Sequence, residues 1–148
     1  MKKILLILTL AISFSSFSQT KELNYCHHKF QVPNECDAKS AYELSCTDFD
    51  IGWLYMNDEM LAFMPEQVIN QFMGQVKKAK KESITCTSFD SELKGYLITY
   101  KKNKDELFRI MVYGKVNGQP VLVNLGLKSK PTRTSDLPDF LSKIIQLK

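Results

Sequence analysis

The chain has 148 residues, with 20 Lys and Arg against 16 Asp and Glu, only two histidines and a net charge of +4. That is the length of one ordinary domain, large enough to bury roughly two thirds of its unfolded surface. The charge is too mildly basic to call for a nucleic-acid partner.

The opening "MKKILLILTLAISFSSFSQT" sets Lys2 and Lys3 before an apolar run from Ile4 to Phe14, then places Ser16 and Ser18 ahead of a cut after Ser18. This predicts a signal peptide over 1–18, an exported protein in the periplasm or outside the cell, and a mature net charge of +2, since Lys2 and Lys3 leave without an acid. The apolar core is about a dozen residues, short of the roughly 20 that a spanning helix needs, so no membrane anchor is expected. Cys26 follows Asn24 and Tyr25 and lacks the small preceding residue that lipidation requires.

Residues 19–46 then form a disulfide-bearing N-terminal segment ahead of a single domain over 47–148. Four cysteines, Cys26, Cys36, Cys46 and Cys86, in an oxidising compartment predict two disulfides, with Cys26 paired to Cys36 and Cys46 to Cys86. The rival use of this segment is a metal or nucleophile site built on Cys26, His27 and His28. Neither a Cys-x-x-Cys nor a His-x-x-x-His is present, so no metal and no cofactor is expected. Met56, Met60 and Met64 are better core filler than copper ligands. Asp48 with Asp50 and Asp58 with Glu59 read as turn and cap residues, and no Gly-x-Ser-x-Gly turn or glycine-rich phosphate loop appears.

From Phe49, "FDIGWLYM" alternates as a strand, and Asn57-Asp58 is expected to turn it back into "EMLAFM" as a hairpin; the alternative is a short helix capped by Asn57. "PEQVINQFMGQVKKAKK" predicts a helix from Pro65 with Val68, Ile69, Phe72, Met73, Val76 and Ala79 on its apolar stripe and lysines at its end. "SITCTSF" and "GYLITYKK" read as strands. "LFRIMVYGKVNGQPVLVNLGL" carries the Asn117-Gly118 hairpin signal, which sets Phe108 opposite Leu127, Ile110 opposite Leu125 and Val112 opposite Val123. A turn at Asn103-Lys104 sets Leu97 opposite Ile110. "KSKPTRTS" reads as a linker, and "SDLPDFLSKIIQLK" as a C-terminal helix with Leu137, Leu141 and Ile144 inward.

The expected fold class is therefore α+β: a mainly antiparallel sheet of about six strands with two main helices. Both sheet faces are apolar. Either the sheet is covered on both sides, or Tyr96, Tyr100, Arg109, Met111 and Tyr113 form a partner-binding face. The element order over Phe49 to Leu147, above all "GYLITYKKNKDELFRIMVYGKVNGQPVLVNLGL" followed by a helix, resembles the PsbP-like extracytoplasmic sandwich domains. That resemblance implies a binding or assembly accessory rather than an enzyme. The expected function is a non-catalytic protein that contacts another exported protein, for example as an inhibitor or immunity-type partner. The alternative is a carrier of a small amphiphile, with Trp53, Leu54 and Phe63 lining its cavity.

Overall fold

The computed structural model describes residues 22–148. The expected signal peptide lies outside the described residues. Strands β1 (Glu22–Tyr25) and β2 (His28–Gln31) form a hairpin of their own. Then come β3 (Asp37–Ser40), β4 (Glu43–Ser45), β5 (Phe49–Tyr55), the short helix α1 (Asp58–Leu61) and the long helix α2 (Met64–Gln75). The chain continues through β6 (Lys77–Ser88), β7 (Ser91–Lys102), β8 (Asp105–Val116) and β9 (Gln119–Leu127), and ends in a 3-10 turn (Thr134–Asp136), α3 (Asp139–Ser142) and β10 (Gln146–Leu147). One antiparallel sheet in the order β10-β6-β7-β8-β9-β5-β4-β3 holds everything but the first hairpin.

The β8–β9 hairpin has the register its turn demands: Asn117 and Gly118 both take positive φ, 50° and 77°, and Phe108, Ile110 and Val112 face Leu127, Leu125 and Val123. The β7–β8 hairpin likewise sets Leu97 opposite Ile110. On one face of the sheet Ile110, Val112, Val123 and Leu125 are buried beneath Leu23, Tyr25 and Phe30 of the first hairpin and Leu137, Phe140, Leu141 and Ile144 of the C-terminal segment. On the other, α2 lays Val68, Ile69, Phe72 and Met73 over Ile98, Tyr100 and Met111. Over β7 and β8 both faces are covered.

The expected class of six strands and two main helices is overturned: the described residues form ten strands, 54% strand against 18% helix, with one helix of seven or more residues among them. Three segments account for this. Asn57 accepts a hydrogen bond from Met60 N at 2.8 Å and caps α1, so "EMLAFM" is helix rather than returning strand. α2 stops at Gln75 because Val76 is extended, and "KKAKK" enters β6 alongside Lys101 and Thr99 of β7. Val76 and Ala79 still pack with α2 against the sheet, but from extended backbone, so the helical stripe was compatible with either conformation. Finally, Pro138 holds Leu137 extended (ψ 143°) and breaks the predicted C-terminal helix, leaving α3 with four residues and freeing Gln146 and Leu147 to pair with β6.

The expected disulfide pairs are also corrected. Cys36 precedes β3 and Cys46 follows β4, so the antiparallel hairpin brings them to a Cα separation of 4.3 Å and they bond to each other. Closing so short a loop stabilises by a little under about 3 kcal/mol in the chain-entropy picture. Cys26 and Cys86 are buried free thiols, 1% and 0% exposed.

Candidate functional site

Residues expected to form a partner face are distributed over two different environments. Met111 is 1% exposed and Tyr100 packs edge-on against Phe72 of α2. The Tyr113 hydroxyl donates to Glu66 Oε1 at 2.6 Å and the Tyr96 hydroxyl to the same oxygen at 3.1 Å, so both tyrosines fasten the first turn of α2 to the sheet. Burial, then the Glu66 carboxylate, push the Tyr113 phenol above its ordinary pKa; for Tyr96 the Glu66 hydrogen bond is the larger cause. This face lies under a helix and is not a free docking surface. Arg109 stands apart at its margin.

α2 covers β7 and β8 and stops short of β5. Along β5 the side chains alternate: Ile51 and Trp53 enter the core on the hairpin side, while Asp50, Gly52 and Leu54 face the α2 side, opposite Gly126, Asn124 and Leu122 of β9. The uncovered strip is an open cleft of about 510 Å³ between Val68 of α2 and the Tyr42-Glu43 corner of β4. Two large exposed hydrophobics line it, Tyr42 at 49% and Leu54 at 46% exposure, alongside Ser40 and Glu43; Phe63, 51% exposed at the start of α2, lies outside the cleft. Sequence reasoning singled out Leu54 and Phe63 and missed Tyr42, which carries no periodic signal because it sits in the β3–β4 turn.

The floor of the cleft is polar and hydrogen-bonded. Arg109 Nη1 and Nη2 donate to Asp50 Oδ1 and Oδ2 at 2.9 and 3.0 Å, and Nη1 donates to Asn124 Oδ1 at 2.8 Å. Burial, the largest single influence, works against the guanidinium charge, and Asp50 and Tyr100 together outweigh it, so the Arg109 pKa lies above its ordinary value. Gly126 makes this possible. A Cβ there would overlap Asp50 Oδ2 and come within 2.6 Å of Arg109 Nη2. Such a bidentate pair presents fixed polarity beside exposed hydrophobics, a combination that suits recognition of a side chain or amphiphile.

The Cys26-His27-His28 stretch forms the turn of the first hairpin instead of a site. Cys26 and His27 take φ of 46° and 72°, and the turn is held by Cys26 N donating to Tyr55 Oη at 2.7 Å and Asn117 Nδ2 donating to Cys26 O at 3.1 Å. His28 stacks on Phe89 at 3.6 Å and lies 2.9 Å from Asn117 Nδ2, while His27 is exposed. Among the described residues no group of three or more His, Cys, Asp and Glu side chains is placed to hold a metal ion.

Burial pushes the Cys26 thiol up to about 11 and the Cys86 thiol up to about 12, away from the depressed values of reactive cysteines. Native protein at pH 8 should therefore resist alkylation, and the unfolded, unreduced chain should take up two equivalents. Both groups titrate higher folded than unfolded. Their contribution to stability is thus fully present below about pH 9 and is lost as pH rises toward about 11 and 12, each thiol adding up to about 1.4 kcal/mol per pH unit. Urea melts from pH 7 to 11 would refute this if stability were flat above pH 9.

No protein-family description matches the chain, and no curated protein matches it. The Cys36–Cys46 disulfide fits an oxidising compartment, and among the described residues no helix is long and apolar enough to cross a membrane.

Proposed function

We propose that this is an exported, non-catalytic binding protein that engages another exported protein through the cleft beside α2. The observation that carries this is the placement of the large exposed hydrophobics: Tyr42 and Leu54 rim the cleft, and Phe63 begins the helix that forms its wall. Half-exposed aromatic and aliphatic side chains around a fixed Arg–carboxylate pair have the composition of an interface centre. A photo-crosslinking residue at position 54, introduced in the producing cell, should yield one discrete protein adduct, and Tyr42→Ala should remove it while leaving the melting curve within about 0.5 kcal/mol of the parent.

The volume of the cleft also favours a second reading, a carrier for a small amphiphile, since about 510 Å³ falls within the range of ligand pockets. Native mass spectrometry of protein purified without detergent separates the two. A retained lipid-sized mass with no crosslinked protein would replace the first reading by the second.

A further inference from the structure

We propose that the end of the sheet opposite the Phe63 end of α2 is an adsorption surface for an anionic phospholipid bilayer. Lys77, Lys78, Lys80 and Lys81 at the start of β6 meet Lys101 and Lys102 at the end of β7 and Lys104 in the β7–β8 turn, and all seven are exposed. More than a third of the chain's 20 Lys and Arg are gathered here. Lys77 lies directly opposite Lys101, a like-charge pair that costs stability. None of the seven forms an ion pair within 4.0 Å among the described residues, and Glu82, the acid within the β6 run, is taken by Lys130 at 3.2 Å. Lys81 alone leans back, over the Tyr96 ring at 4.3 Å.

Edge protection explains only part of this cluster. β10 pairs with β6 at Cys86 and Thr87, so the start of β6 is an open edge that lysines would guard against pairing with another chain. Lys101 and Lys102 guard no edge, because β7 is paired on both sides, and although they stand opposite Glu106 and Asp105 of β8 they close no ion pair within 4.0 Å among the described residues; Lys104 lies in the turn. The chemistry of the patch selects its partner. It holds lysine and no arginine, so it offers flexible point charges rather than bidentate forks. It also lacks the exposed aromatics of a protein interface: Tyr42 and Leu54 belong to the cleft, and Phe63 is separated from Lys77 by the full length of α2, about 18 Å. A plane of anionic headgroups satisfies such charges without any register.

The test is co-sedimentation of the purified protein with mixed phosphatidylglycerol–phosphatidylcholine vesicles. Binding is expected at low ionic strength, with release at high ionic strength and no binding to pure phosphatidylcholine. Reversing four charges, Lys77→Glu, Lys78→Glu, Lys101→Glu and Lys102→Glu, should lower partition on the order of a hundredfold or more. A control carrying the same reversal at Lys29, Lys39, Lys115 and Lys143 should keep most of the binding, and circular dichroism confirms that both variants fold. The proposal is overturned if the protein ignores anionic vesicles at low salt, if the control loses as much as the patch variant, or if only a soluble polysulfate is bound.

Discussion

Gly95→Ala is expected to destabilise the protein by at least about 3 kcal/mol, one of the largest effects any single substitution here should have. Gly95 sits in the middle of β7 with Ile84 of β6 on one side and Val112 of β8 on the other. A Cβ at this position would run into the Met111 carbonyl oxygen and come within 2.8 Å of Val112 Cα. These are backbone atoms of a strand held in a ladder on both edges, so neither can move aside cheaply. Gly74, on the exposed side of α2, is the counterpart, because nothing lies within 4 Å of an added Cβ there. Gly74→Ala should gain up to about 1 kcal/mol through helix propensity. Urea melts of the two variants test the close approach of β7 and β8: equal midpoints would refute it.

Ile110→Ala and Met111→Ala should each cost about 2 to 5 kcal/mol, although the two residues are neighbours in β8 and point to opposite sides of the sheet. Ile110 is 0% exposed in the core beneath the first hairpin, and Met111 is 1% exposed beneath α2. A sheet with one bare face would lose stability at only one of them. Near-neutral behaviour of Met111→Ala in denaturant unfolding would mean that α2 does not cover this face as described.

What could be read from the residues follows from how local the determining physics is. The Asn117-Gly118 turn was legible because positive φ at two successive positions selects those residue types, and the alternating runs beside it admit one register. Two other tight turns were not. Cys26-His27 and Phe89-Asp90 also take positive φ, with φ of 45° and 64° in the second, yet neither pair advertises a turn. Tertiary contacts stabilise them instead, through Tyr55 at Cys26 N and the stacking of His28 on Phe89. "KKAKK" misled because helix-favouring lysines entered a strand whose partner, β7, begins only after the next turn. The disulfide was misassigned because its geometry depends on the β3–β4 hairpin, whose three- and four-residue strands carry too short a pattern to detect. As for the cleft, Leu54 and Phe63 were visible as apolar residues, but the Arg109–Asp50–Asn124 floor joins three strands that only the sheet order brings together.

That sheet order also governs the sequence of events by which the chain reaches its native state. β6 through β9 form a meander of neighbours joined by tight turns, so each hairpin closes at little entropic cost. β5 is different. Besides the short β4 its partner is β9, which leaves the ribosome only after α2 and the rest of the meander have been made, and the two must then align along seven successive pairs. Until that happens Ile51 and Trp53 lack the core that β9 completes, and the edge of β5 away from β4 stands open to other extended chains. The wait of one early strand for a late one is therefore the interval in which this chain is most exposed to pairing with a stranger.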